Sequence, residues 1–378
     1  MTAETDRHRI LLCIPYWCGL NDVLVQIWKS YQYAIDANRQ LLIDTRVSGF
    51  WDDFDNYFVP TDATQAGPIR ITGRVSDHEI KQLNQRSTYP AARQGRIEFC
   101  HREIQLRCAG DHLPSRLRRA VAFATNLFQL PPSKEFTNTF TRRIYFIADF
   151  ALKRLRPIDY GCTQPRDEEV VIHHRSGGGQ ASFHALGLLT LTEPVRSAVR
   201  QALSTCGDDY DAIHIRNTDI RTDYRTFLAQ AASRLSGRRV LVCSDDLAVI
   251  RAAKEILDAS QVFTVTTTED AGGQPLHKLG VSRDGEERRR LNINMLVDLL
   301  CLASSRELLI TDSQPQCCNS GFSGLAKLLH EHPALINQLV GSDARLEHQP
   351  YSQQRSHSAL SSNNSPLNAT IHASPTRP

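Results

Sequence analysis

Between Tyr210 and Asp223 the chain reads Tyr210-Asp211-Ala212-Ile213-His214-Ile215-Arg216-Asn217-Thr218-Asp219-Ile220-Arg221-Thr222-Asp223, which brings an imidazole, a guanidinium and a carboxylate close together. Ala212 and His214 alternate with Ile213 and Ile215, a strand-like pattern, and the polar, cationic turn behind them runs into an amphipathic helical pattern. In a wound α/β sheet such a turn lies at the carboxyl end of its strand, where ligands bind. The following helix aims its free N–H groups at any anion there. Arg216 adds a planar fork suited to phosphate, so a phosphate-bearing ligand is expected near it. His214, inside the strand, is open to two readings, a catalytic imidazole or a hydrogen-bonded core histidine.

Two more loops are expected at the same sheet edge. One carries Asp245 and Asp246; the other carries Ser313 and Ser320-Gly321-Phe322-Ser323. The latter opens a helix, so the hydroxyls of Ser320 and Ser323 and the adjacent N–H groups can bind a phosphate without a metal. Asp298 lies on an otherwise apolar helix and needs a partner there; its carboxylate can accept two hydrogen bonds from a guanine edge, leaving Arg216 to neutralise a diphosphate. Asp245 reads as a helix N-cap, with a ligand contact as an additional role. Asp52-Asp53 and Asp245-Asp246 are adjacent pairs whose carboxylates would point apart, so neither makes a convincing metal site.

The elements that position these groups follow from periodicity. A strand over 9–14, a helix over 22–38 with Leu24, Ile27, Tyr31 and Ala34 on one face, and a strand over 40–44 form a β-α-β unit. That unit commits the chain to a parallel sheet with a right-handed crossover. The loop Phe50-Trp51-Asp52-Asp53-Phe54-Asp55-Asn56-Tyr57-Phe58 is either a cap that tucks rings onto the sheet or a wall on which a sugar stacks. Residues 61–112 mix strand signals at 69–71 and 96–99 with a helix at 76–84, and helical patterns cover 114–129 and 135–155. A strand over 168–173 ends in His173-His174-Arg175-Ser176-Gly177-Gly178-Gly179-Gln180, which matches neither a P-loop nor a dinucleotide fingerprint.

After a helix over 193–204 the pattern is regular. The strand over 210–216 is followed by a helix over 223–236, a strand over 240–243 and a helix capped by Ser244-Asp245-Asp246. A strand over 262–265, a polar loop over 266–287, a helix over 288–304 and a strand over 308–311 complete a doubly wound sheet. The expected organisation is an N-terminal Rossmann-like domain over 1–190, a C-terminal one over 191–340, and a disordered tail over 341–378, which is rich in Ser, Asn, Gln, His and Pro.

Bulk properties narrow the class. A chain of 378 residues is long enough for two domains, and a formal charge of +3 makes no case for nucleic acid or an acidic membrane surface. The ten cysteines are scattered without the paired spacing of a zinc knuckle; Cys243 and Cys301 sit in apolar segments and read as buried thiols, which fits a reducing compartment. The apolar run over 10–20 follows Glu4 and Asp6 and is broken by Pro15 and Gly19, so it reads as neither a signal peptide nor a transmembrane segment. A cytoplasmic protein is expected.

The ordered motifs His214-Ile215-Arg216, Cys243-Ser244-Asp245, Pro275-Leu276-His277, Asp298 and Ser320-Gly321-Phe322-Ser323-Gly324-Leu325-Ala326 resemble those of the NodZ-like, α-1,6- and protein O-fucosyltransferase superfamily. The likeness extends to Gly19-Leu20-Asn21-Asp22 and Leu42-Ile43-Asp44-Thr45-Arg46, which resemble the family's first loop and second strand. The resemblance implies a GT-B architecture, two Rossmann-like domains facing across a cleft, with GDP-fucose on the C-terminal one and the acceptor sugar mainly on the N-terminal one. It implies that Arg216 contacts the donor β-phosphate, Asp298 the guanine, and Ser320, Phe322 and Ser323 the phosphates or ribose, with Asp245 and His277 also on the donor side. The family's α-1,6 members often carry a second basic residue after the motif arginine, where this chain has Asn217; Asp219 and Arg221 are left to share that role.

The activity so implied is inverting, metal-independent transfer of fucose to a hydroxyl of a glycan or lipid-linked oligosaccharide, with no cofactor beyond the donor substrate. Arg216, His214 and Asp219 are the expected catalytic residues, and Asp22, Asp53 and Asp219 the candidates for a general base. Two other readings keep the fold: a transferase using another nucleotide sugar, and a non-catalytic sugar- or nucleotide-binding protein.

Overall fold

The computed structural model describes residues 9–16, 18–101, 161, 163–218, 221–258, 261–268, 283–311 and 320–341. The expected helices over 114–129 and 135–155, Asp219, His277, Ser313 and the tail beyond 341 lie outside the described residues.

The first strand, β1 (Ile10–Cys13), buries Leu11, Leu12 and Cys13 completely, as a strand covered on both faces by helices must. Helix α1 (Leu20–Asp36) returns the chain to β2 (Gln40–Ile43), which pairs parallel with β1 in the register Ile10 to Gln40. The short strands β3 (Phe58–Pro60), β4 (Ile71–Thr72) and β5 (Thr88–Tyr89) follow, with helices α2 (Asp62–Gln65) and α3 (Asp77–Leu83) between them. β6 (Val170–His173) pairs with β1 on its other side, and the sheet runs β4-β2-β1-β6-β5, parallel throughout. Helix α4 (Ser182–Leu186) leads to β7 (Leu189–Leu191), which pairs antiparallel with β3.

The second sheet follows helix α5 (Glu193–Cys206). It holds β8 (Asp211–Ile215), β9 (Val240–Ser244), β10 (Val262–Phe263) and β11 (Glu307–Ile310), parallel in the order β10-β9-β8-β11. Its helices are α6 (Tyr224–Leu235), α7 (Leu247–Ile256), α8 (Gly285–Ala303), α9 (Gly321–Glu331) and α10 (Pro333–Val340). Side-chain caps start four of them: Asp223 for α6, Asp246 for α7, Asp284 for α8 and Ser320 for α9. Two wound parallel sheets in one chain are the plan of a GT-B protein, as expected. One apolar cluster runs from Leu11, Leu41 and Val171 in the first sheet to Ala212, Leu241 and Leu300 in the second half.

Three expectations are corrected. The stretch 96–99 forms no strand: Phe99 N donates to Arg96 O at 3.1 Å and Cys100 N to Ile97 O at 3.0 Å, so the backbone turns and drives Ile97 and Cys100 into the core. Asp246, not Asp245, caps α7, its Oδ1 accepting from Ala248 N at 2.8 Å. The aromatic loop is a cap and not a sugar-facing wall, since Phe50, Trp51, Phe54, Tyr57 and Phe58 are all buried, with Phe50 stacked on Tyr57 at 5.1 Å and Phe54 on Phe58 at 5.0 Å. Burying each such ring stabilises the fold by about 2 kcal/mol. Asn292 and Arg288 of α8 donate to Phe50 O at 2.8 Å and Trp51 O at 2.6 Å, so this loop fastens the second half's longest helix to the first sheet.

At the amino ends of the strands the polar groups are structural. Arg39 is buried and donates to the backbone carbonyls of Ile10, Arg166, Glu168 and Glu169. Asp211 is fully buried and holds Arg306 through Nη2 at 2.6 and 2.7 Å and Arg238 at 3.2 Å. Among the described residues, Cys13, Cys18, Cys206, Cys243 and Cys301 are buried free thiols, Cys100 is buried, and no helix is long and apolar enough to cross a membrane.

Candidate functional site

β8 ends at Ile215, and the turn after it is held from below by the turn after its neighbour β9. Asp245 Oδ1 accepts from Asn217 N at 2.8 Å, its Oδ2 accepts from the Thr218 hydroxyl, and Arg216 Nε lies 3.9 Å from that second oxygen. The Asp245 carboxylate is therefore spent on shaping the turn that presents Arg216. Asn217 is buried and equally committed: its Nδ2 donates to Asp246 Oδ2 at 2.8 Å and its Oδ1 accepts from Thr222 N at 3.2 Å. Arg221 closes the turn by donating to Asn217 O at 3.2 Å.

His214 sits one residue inside the strand, buried, and shares a hydrogen bond with Ser323 Oγ at 2.7 Å. Its ring lies 5.0 Å from that of Phe322. Burial, helped by the Arg216 charge, pushes the imidazole down to about 3, so it is neutral at physiological pH. This one contact ties the strand that carries Arg216 to the first turn of α9, where Ser320 Oγ accepts from Ser323 N at 3.4 Å. Sequence-predicted His214, Arg216, Ser320, Phe322 and Ser323 are thus gathered at one place, and the helix N-terminus of α9 opens beside the arginine turn.

Asp298 stands apart from that group, on α8 behind β9 and β10. Its Oδ1 accepts from Thr266 Oγ1 at 2.8 Å, Cys243 lies against it, and burial pushes its carboxyl up to about 7. Asp219 and His277 lie outside the described residues, so their placement relative to the group is not part of the geometry.

The first half contributes residues that pattern reading passed over. Asn21 on α1 accepts from Ser182 Oγ at 2.6 Å and donates to Gly179 O at 3.2 Å, and a β-carbon built on Gly321 would stand 2.9 Å from its Nδ2. Gln26, one turn further on, donates to Gly177 O at 2.6 Å and meets His173 Nε2 through its Oε1 at 2.9 Å. Together they pin the glycine loop, where Gly177 and Gly179 take φ of 107° and 150° that side chains resist. Asn21 and Gln26 are, with Ser30, the buried polar side chains of a helix whose other buried positions are apolar. Asp22 follows Asn21, part-buried, and the charge of Arg216 reaches it from the second half. The start of α1, the glycine loop, the Arg216 turn and the start of α9 therefore meet at one junction, with cationic and N–H donor groups on one side and a carboxylate on the other. Among the described residues no three His, Cys, Asp or Glu side chains are grouped to hold a metal ion.

No protein-family model matches the chain, and no curated protein matches it. Among solved structures it is similar to the fucosyltransferase NodZ from Bradyrhizobium, at 16% identity and a TM-score of 0.48 over 85% of this chain and 93% of that one. It is also similar to NodZ α-1,6-fucosyltransferase soaked with GDP-fucose (15%, TM-score 0.49, 85% and 92%). A third is POFUT1 in complex with GDP-fucose (12%, TM-score 0.45, 89% and 96%).

Proposed function

We propose that this chain is an inverting glycosyltransferase that moves fucose from GDP-fucose to a hydroxyl of a glycan or lipid-linked oligosaccharide without a metal. The observation that carries this reading is the 2.7 Å contact between His214 and Ser323, which sets the Arg216 turn and the N-terminus of α9 side by side. As the bond to the sugar breaks, negative charge grows on the β-phosphate. Arg216 and the free N–H groups of α9 stabilise that charge more in the transition state than in the ground state.

Asp298 gives the reading its base preference. An ionised carboxylate presents two acceptors to the N1–H and N2–H donors of guanine, a pairing that uracil and adenine lack. His214 acts by positioning Ser323 and supporting Phe322, and Asp245 by positioning Arg216. His277 remains assigned to the donor by motif resemblance alone, and Asp219 to the transfer step by its place in the loop after β8.

The test is calorimetric titration of the full chain with GDP, UDP and ADP in EDTA, repeated on Arg216→Ala. Selective GDP binding, weakened more than tenfold by the substitution (about 1.4 kcal/mol), is the expected result. A folded protein that binds none of the three, or binds them equally, rejects the reading.

A further inference from the structure

Among the described residues, the junction holds one carboxylate that the donor contacts leave unused. Asp22 lies in the first turn of α1, and among the described residues its side chain accepts a single hydrogen bond, from its neighbour Asn21 Nδ2 at a long 3.3 Å. The group is fixed in place: a β-carbon on Gly178 would stand 2.4 Å from Asp22 Oδ1, so the glycine loop packs directly on the carboxylate. The charge of Arg216, in the second half, acts on it. A part-buried carboxylate with spare acceptor capacity, within the field of the cation that would receive the leaving group, is placed to take a proton from the attacking nucleophile.

Resting on the GDP-fucose reading above, we infer that Asp22 is the general base of the transfer. The acceptor O–H gives its proton to an Asp22 oxygen while its own oxygen bonds to the anomeric carbon. The bond from that carbon to the β-phosphate oxygen breaks, and its electron pair leaves with GDP toward Arg216 and the start of α9. With water as acceptor the same step yields fucose and GDP. Of the other candidates, Asp53 is less well placed. Asp53 is drawn to Arg74, 3.6 Å away, on the far side of β2 and next to Asp52, and Asp219 is outside the described residues.

Burial raises the Asp22 carboxyl above its ordinary value, against the Asn21 hydrogen bond and the Arg216 charge, which moves it toward the range where a base is both ionised and strong. Among the described residues, the titratable and charged groups acting on it are Arg216 and the thiol of Cys18, which burial keeps protonated. Gly177–Gly179 and Gly321–Phe322 bring none.

The test uses water as the acceptor: release of GDP from GDP-fucose by the full chain, from pH 5 to 9, for wild type, Asp22→Asn and Asp22→Glu, with GDP affinity measured for each. Wild-type hydrolysis should rise with pH along one ionisation and then level. Asp22→Asn should lower kcat at least about 100-fold and flatten that rise, with the GDP Kd within threefold, and Asp22→Glu should restore part of the rate. If wild type binds GDP but Asp22→Asn hydrolyses GDP-fucose at an unchanged rate, or wild type does not hydrolyse it at all, the base assignment falls and the donor reading stands. Absence of GDP binding by wild type overturns both.

Discussion

Gly321, the first residue of α9, is in contact with Asn21 of α1, so that a β-carbon at 321 would lie 2.9 Å from Asn21 Nδ2, 3.0 Å from its Cβ and 3.1 Å from its Cγ. Asn21 has nowhere to retreat, because Ser182 Oγ and Gly179 O hold both ends of its amide at 2.6 and 3.2 Å. Gly321→Ala therefore has to push α9 away from α1. The expected cost is about 1–3 kcal/mol of stability, the usual range for overpacking. Because the displaced turn carries Ser320 and Ser323, GDP should bind several-fold more weakly as well. Gly324→Ala, where the added carbon meets nothing within 4 Å, is the control: it should leave titration unchanged and add up to about 1 kcal/mol of stability, alanine being the better helix former.

By resemblance, Asn217 stands where α-1,6 members of that family often carry a second basic residue. If it stood in for a phosphate-binding cation, Asn217→Lys would tighten GDP binding. Its side chain is instead buried and bonded to Asp246 and Thr222 N. Both Asn217→Lys and Asn217→Ala should then destabilise the protein by about 1–3 kcal/mol, since each strands a partner. GDP affinity should fall in both, because the turn that aims Arg216 loosens. Urea denaturation beside calorimetric titration measures the two effects, and a gain of affinity in the lysine variant would refute the account.

What the sequence made legible follows from where hydrophobic pattern alone decides. β1, β2, β6, β8 and β9 are short apolar runs between polar breaks, and each is found within a residue or two of its expected place. The elements that escaped are those fixed by distant partners. β5 is two residues long and exists because Thr88 and Tyr89 pair with β6, some eighty positions later; β3 needs β7 in the same way. The choice between Asp245 and Asp246 as the cap of α7 was undecidable in one dimension, because the Asn217 and Thr218 groups that claim Asp245 come from the preceding βα turn. The aromatic loop's two readings were separated by Asn292 and Arg288, more than two hundred residues away.

Two buried histidines predict how stability responds to acid. Burial pushes both His173 and His214 down to about 3, the first aided by the Arg175 and Lys29 charges and the second by Arg216, whereas both titrate near 6.5 in the unfolded chain. Between those values the unfolded state binds protons that the folded state refuses. Their contribution is thus fully present above about pH 6.5 and is lost as pH falls toward 3. At pH 5 each should have removed about 2 kcal/mol relative to pH 7.5. Urea midpoints at the two pH values measure the loss, and His214→Gln should roughly halve it, whatever that substitution does to stability at pH 7.5.

Asp298 has the opposite sign. Burial pushes its carboxyl up to about 7, with Thr266 and Cys243 restraining the rise, so the folded protein keeps a proton that the unfolded chain has already lost above pH 4. The stability this proton confers is present below about pH 4 and is lost as pH rises to 7. Asp298→Asn, which retains an acceptor for Thr266, should therefore be more stable than wild type at pH 8 and lose that advantage at pH 5. Binding should move the other way: guanine needs the ionised carboxylate, so wild-type GDP affinity should be level above pH 7 and fall as much as tenfold per unit below it. In Asp298→Asn the affinity should be low and independent of pH, because an amide can accept from only one of the two guanine donors. Titrations at pH 6 and 8 in buffers of different ionisation enthalpy would also show a proton released on binding at pH 6 in wild type. A wild-type affinity that does not change between pH 6 and 8 would remove Asp298 from the guanine contact and leave Arg216 and α9 as the donor site.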